Sequence, residues 1–166
     1  MTTHDAKDAR CRIFTFKEGL LSAVAHDLEI DVQRFSVTVD GERVRATFDP
    51  SSLRVLHAMH DGVPRPGALS ERERAKIEQT IRDEVLSVRR HPEVRFEAEA
   101  RGAVLDGTLT LFGRSRPLRV PFRVEGTARV AEASLHQPDW GIAPYSAMLG
   151  TLKIKPDVRV RIELPG

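Results

Sequence analysis

The residues in this chain best suited to chemistry are few and scattered. His57, His60 and Asp61 stand in the phrase His-Ala-Met-His-Asp-Gly. Two histidines and an acid can bind zinc or iron if a further ligand joins them. On a strand, however, positions 57 and 60 face opposite ways, and the phrase runs into a loop. They read as surface histidines, and no metal site is assigned. His26-Asp27 could be an imidazole oriented by a carboxylate, as in general base catalysis. Adjacent strand residues again diverge, and only Ser22 could meet His26, if 19–25 forms a helical turn. No catalytic residue is assigned. His26 at a pocket mouth would more simply hydrogen-bond a ligand head group. In the alternative reading it is the base of a hydrolase or isomerase acting on lipidic substrates.

Other polar residues give similarly plain readings. Cys11 is the single cysteine, so no intrachain disulfide forms, and no positive helix end or paired His is evident to activate the thiol. Arg43, Arg45, Arg119, Arg123, Arg159 and Arg161 would make a basic stripe for anionic lipid or nucleic acid if their strands adjoin. A solvated barrel exterior needs the same residues, and that is the favoured reading. Lys plus Arg number 26 against 24 Asp plus Glu, a net charge of +2. With no Gly-rich phosphate loop and little aromatic surface for stacking, no nucleic-acid partner is expected. Trp140 and Tyr145 lie in the irregular phrase Gln-Pro-Asp-Trp-Gly-Ile-Ala-Pro-Tyr. That segment would plug one end of a barrel, or form a lip over an entrance with the Tyr145 hydroxyl offered to a head group.

The elements that must position these residues are mostly strands. Apolar residues alternate with polar ones over 27–33, 43–48, 94–99, 117–125 and 157–164, the period of a half-buried strand. Shorter candidates are 11–17, 36–39, 52–57, 104–112, 127–135 and 151–155. Asp40-Gly41 and Asp106-Gly107 read as tight hairpin turns. One-sided alternation with short turns implies antiparallel pairing, and eight or nine strands with one core should curl into a barrel or split into a sandwich. Ser70 to Glu73 is a capping box, followed by Ile77, Ile81, Val85 and Val88 at helical spacing. The expectation is one helix of roughly 18 residues, near 70–90, ending before Pro92. The fold class is therefore mainly β, an antiparallel barrel of about eight strands with one inserted helix. It forms a single domain over 1–166, with 1–10 flexible.

A barrel of this size can be filled by side chains or can hold one small ligand. Its inward faces are almost wholly aliphatic plus Phe48, Phe96 and Phe122, which suits a hydrocarbon chain and not a polar metabolite. Burying on the order of fifteen carbons would contribute roughly 12 kcal/mol before ordering costs. The expected contacts are Leu28, Ile30, Phe48, Phe96, Leu109, Leu111, Val120, Phe122, Val160 and Ile162, with Tyr145 at the rim. No cofactor is expected. The opening residues lack the apolar core of a secretory signal, and no run is long enough to span a bilayer. The expectation is a soluble cytoplasmic protein whose membrane contact, if any, is transient. A filled core acting through surface protein contacts is the remaining alternative.

Several phrases carry a resemblance. His91-Pro92-Glu93-Val94-Arg95-Phe96 follows the helix, Gly107 to Leu111 reads Gly-Thr-Leu-Thr-Leu, Arg116-Pro117 leads into a strand, and Asp139-Trp140-Gly141-Ile142 comes late. In this order and spacing, over 11–164, the chain resembles the YceI-like family of lipocalin-like, polyisoprenoid-binding proteins. The resemblance implies an extended eight-stranded barrel whose pore takes an isoprenoid tail, such as a quinone or a polyprenyl alcohol or phosphate. Some relatives are dimeric, so a homodimer is among its implications. Two features depart from the family. Many members are exported, and where the family commonly has His-Gly this chain has Phe112-Gly113.

Overall fold

A computed structural model describes residues 1–19, 25–147, 150 and 152–166. Its strands are β1 (Thr2–Asp5), β2 (Arg10–Thr15), β3 (Asp27–Val32), β4 (Phe35–Asp40), β5 (Arg43–Phe48), β6 (Leu53–His60), β7 (Val63–Arg65), β8 (Val94–Arg101), β9 (Val104–Leu111), β10 (Arg114–Glu125), β11 (Ala128–His136), β12 (Ser146–Ala147), β13 (Leu152–Lys153) and β14 (Asp157–Leu164). Helix α1 (Glu71–Thr80) continues into a π turn at Ile81–Val85. Twelve strands form one antiparallel sheet in the order β1-β4-β5-β8-β9-β10-β11-β14-β2-β3-β6-β7.

Among the described residues, twelve segments exceed the expected eight because two long strands are bent and two short strands, β1 and β7, pair only at the ends of the sheet order. β3 runs into β4 through Gln33-Arg34, and β5 runs into β6 through Asp49 to Ser52. The two bends are bonded to each other: Asp49 N–H donates to the Arg34 carbonyl (3.0 Å) and Gln33 N–H to the Ser52 carbonyl (3.3 Å). Arg34 N–H also donates to Ser52 Oγ (2.9 Å), and its Nε to Asp49 Oδ2 (2.9 Å). β4 and β5 thus belong to one wall, with β5 paired to β8, while β3 and β6 belong to the other, with β3 paired to β2. Counting each bent strand once and leaving out the edge strands β1 and β7, the described residues form a ring of eight strands, and the shared corner closes it.

Residues 1–10, where no strand was expected, contain β1. Thr2 to Asp5 pair with β4, and His4 packs under the strand edge, 6% exposed, with Nδ1 bonded to Asp8 (2.7 Å). Polar side chains hid this strand, since its stabilisation comes from main-chain pairing at a sheet edge rather than from an apolar face. The turn expected at Asp106-Gly107 is corrected. Both residues lie within β9, and the chain reverses at Gly102, φ +62°. Gly107 serves close strand approach instead. A Cβ there would lie 2.3 Å from the Glu97 carbonyl oxygen and 2.5 Å from Ala98 Cβ, both on β8. Gly107→Ala should therefore destabilise the barrel by about 1–3 kcal/mol, read as a lowered midpoint in chemical denaturation. A midpoint equal to that of the parent would contradict the packing.

The helix is shorter than expected. Its capping box is present, Glu73 N–H donating to Ser70 Oγ (3.1 Å) and Ser70 N–H to Glu73 Oε2 (2.8 Å). Ten α-helical residues are followed by the wider turn, which closes with Leu86 N–H on the Ile81 carbonyl (2.9 Å), and Ser87 leaves it at φ +45°. Ile77, Ile81 and Val85 recur every four residues, which outruns the 3.6-residue turn. The widened turn keeps that row against the barrel. α1 packs on β6, whose outer edge beyond β7 would otherwise expose unpaired backbone. Glu78 Oε2 accepts from Val55 N–H (3.1 Å), and Arg74 Nη1 donates to the Leu56 carbonyl (3.4 Å).

Candidate functional site: an apolar cavity through the barrel

Alternation along the ring strands turns one side of each toward a common axis, and those side chains do not meet there. They enclose a cavity of about 720 Å³, within the range of small-molecule sites. The lining runs along β9 from Leu105 to Leu111, about 20 Å at strand rise. Leu28, Ile30, Phe48, Phe96, Leu109, Leu111, Val120, Phe122, Val160 and Ile162 all line it, and so does Tyr145. Val124, on the same alternation as Phe122, does not. It is 69% exposed, although it stands opposite Arg129 in the register. Ile77, Ile81, Val85 and Leu86 bring the helix into the wall. Their apolar row was visible in the sequence, but its place in the site was not.

Polar groups enter the lining from α1, as Glu73, Lys76 and Thr80, and from the strands and loops at the two ends. At one end Thr15, His26, Gln137 and Tyr145 line the cavity. The Thr15 hydroxyl is buried without a hydrogen-bond partner. This end is built by the segment after β11, held by Gln137 N–H on the Pro156 carbonyl (2.9 Å) and Lys155 N–H on the Phe16 carbonyl (2.7 Å). Tyr145 is fixed through its carbonyl, which accepts from Ile154 N–H (3.1 Å). Trp140 and Ile142 are buried, and Trp140 Nε1 donates to the Leu109 carbonyl (3.1 Å). At the other end β11 brings Arg129 into the lining beside Leu164 of β14. The sequence reading missed this residue. The parity of Ala131, Ala133 and Leu135 would have placed it inside, but two alanines are a faint signal beside the more apolar Val130.

The remaining chemical candidates are placed as follows. His26 opens both onto the cavity and onto a shallow surface depression with Lys17 and Met59. Asp27 accepts from Lys17 N–H (2.7 Å). Ser22 lies outside the described residues. His57 Nε2 lies 3.2 Å from Glu29 on the outer face, next to Arg12, while His60 is exposed beside Asp61. Among the described residues no group of three or more His, Cys, Asp or Glu is placed to hold a metal. Cys11 lines the cavity at 1% exposure, and burial, with the charge of Asp31 adding to it, pushes its thiol up to about 12. It is a protonated wall residue.

The arginines do not form a basic stripe. Register sets Arg43 opposite Glu99, Arg45 opposite Glu97 and Arg119 opposite Asp106. Arg161 bonds Glu132, Glu125 (2.7 Å) and Glu163 (2.7 Å), and Arg123 bonds Glu125 (2.6 Å) and Glu132 (2.9 Å). Hydrogen bonds from Arg123 and Arg161 hold the carboxyl of Glu132 below the usual range. Arg159 lies over the Phe16 ring at 5.8 Å. The exterior is an interleaved charge ladder, which suits solvation better than the capture of a polyanion.

Comparison with known proteins gives the same outline. A family model described as a YceI-like domain matches residues 6–165. Among curated proteins none matches significantly. Among solved structures, BcnA of Burkholderia cenocepacia superposes with TM-score 0.63 at 14% identity, covering 98% of both chains. A polyisoprenoid binding domain from Saccharophagus degradans, implicated in plant cell wall breakdown, gives 0.60 at 11% identity over 95% of this chain and 94% of that one. The Campylobacter jejuni YceI protein gives 0.58 at 11% identity over 82% of each. At these identities the likeness is one of fold.

Proposed function

The chain belongs to the YceI-like domain family, and from that premise we propose that it binds, carries or sequesters one apolar amphiphile in the barrel interior without catalysing its conversion. The observation that carries the reading is the open, apolar cavity spanning the barrel. A folded domain ordinarily closes its core to near-crystalline density, so an apolar void of this size forfeits packing energy on every wall. A hydrocarbon occupant would restore it. A relative of the same fold is described as polyisoprenoid-binding, which supports an isoprenoid tail as the cargo, with quinones in that class. Among the described residues no helix is long and apolar enough to cross a membrane. The proposal extends to a cytoplasmic setting, where such a carrier would keep its lipid out of water between membranes.

The noncatalytic part rests on the lining. The Thr15 hydroxyl at the His26 end has no hydrogen-bond partner to activate it, and the one thiol in the cavity is held protonated. Protein purified without detergent and extracted with organic solvent should release a lipid, identified by mass spectrometry, in near-equimolar amount. Extracts no richer in lipid than those of an unrelated protein of similar size would count against the proposal. So would recovery of a chemically converted product from a defined lipid incubated with the protein.

A further inference from the structure

We infer that Arg129 is a head-group site, and that the occupant's polar end is an anion: a carboxylate or phosphate terminating the apolar chain. The inference rests on the chain-binding reading above and adds to it both a charge and a direction. Arg129 shares the inward parity of Ala131, Ala133 and Leu135. Among the described residues it is the only charged side chain that a strand of the barrel contributes to the cavity wall; α1 adds Lys76 together with the acid Glu73. It lies at the end where the β4–β5, β8–β9 and β10–β11 hairpins turn.

Its donors are poorly used. Nε is buried without a hydrogen-bond partner, and Nη2 reaches only the Pro165 carbonyl, at 3.4 Å. The acids nearest in the sheet, Glu125, Glu132 and Glu163, are already engaged on the outer face by Arg123 and Arg161. A guanidinium with a desolvated, unpaired N–H in an apolar wall is unfavourable unless an acceptor arrives. An oxyanion fits that need, because two of its oxygens can take Nε and Nη together while it neutralises the charge. A neutral head would satisfy the hydrogen bond but leave the cation uncompensated. With the head at Arg129, the tail runs past Phe122 and Leu109 toward the Tyr145 end.

The test is a competition among three ligands of equal chain length: a saturated fatty acid, the corresponding primary alcohol and the alkyl phosphate. The parent protein should bind at least one of the anions tenfold or more tighter than the alcohol, and the better anion identifies the head-group chemistry. Arg129→Met should erase that preference while keeping alcohol affinity and the thermal midpoint. Arg129→Lys should retain a reduced preference. Arg119→Gln, which removes an equal charge from the outer face, should retain it fully. Equal binding of acid, phosphate and alcohol by the parent, or a preference that survives Arg129→Met, would overturn the inference and leave the chain-binding reading intact. Binding of none of the three would sink both.

Discussion

Ala133→Trp should reduce the affinity for any long apolar ligand by 100-fold or more while leaving the barrel at least as stable as before. Ala133 sits on β11, opposite Val160 of β14, and its side chain opens onto the cavity midway between Ala131 and Leu135. An indole placed there takes space that the account gives to the ligand. Displacing four or five methylenes at about 0.8 kcal/mol each costs the complex roughly 3–4 kcal/mol, which is a factor of a few hundred in affinity. In a dense core the same change would be overpacking and would cost stability. Here the ring fills a void, so the thermal midpoint should hold or rise. Lipid binding and thermal unfolding of the one variant separate the cases. Unchanged affinity with a lowered midpoint would mean that the interior is not where the ligand goes.

Trp140→Ala should lower the stability of the fold by about 3–5 kcal/mol. Trp140 is 3% exposed, and its indole N–H satisfies the Leu109 carbonyl on β9. The turn that carries it is fastened on both sides. Gly141 caps it at φ +77°, Ile142 N–H reaches the Gln137 carbonyl (3.2 Å), and Arg116 Nε on β10 donates to the Asp139 carbonyl (3.1 Å). Removing the ring leaves a hole over β9 and a carbonyl without its donor, so the transfer, cavity and hydrogen-bond losses add. For a chain of this length the midpoint should fall by about 6–20 °C. Trp140→Phe keeps most of the packing and loses the N–H, so it should cost about 1 kcal/mol. A shift below about 2 °C for the alanine variant would show that this segment merely covers the end and does not hold it.

How much of this was legible beforehand follows from which forces leave a pattern. Strand alternation is enforced by burial on one side of the wall, and a barrel buries the same side all the way round. The inward residues from Leu28 to Ile162 could therefore be named from period alone. Whether they met at the axis could not, because periodicity reports which way a side chain points and not what it touches. The bent strands were missed because Gln33-Arg34 has no turn residue. Its bend is made by the partner corner at Asp49 to Ser52, a tertiary cause. β1 escaped because an edge strand needs no apolar face. At Gly107 the Asp-Gly dipeptide carried a turn signal, but contact with β8 requires the missing Cβ there. The helix was recognised from its capping box, yet its early end depends on a wide turn adapted to the barrel wall. Arg129 shows the cost of reading charge as exterior. Its neighbours' parity pointed inward, and the expectation that arginines face water concealed it.

The most direct test of the central claim is native mass spectrometry of the delipidated protein titrated with a long-chain polyprenol. The account predicts a single adduct that saturates at one ligand per chain and is absent from Ala133→Trp under the same conditions. A ladder of adducts growing with ligand concentration, or the same single adduct on the tryptophan variant, would contradict it.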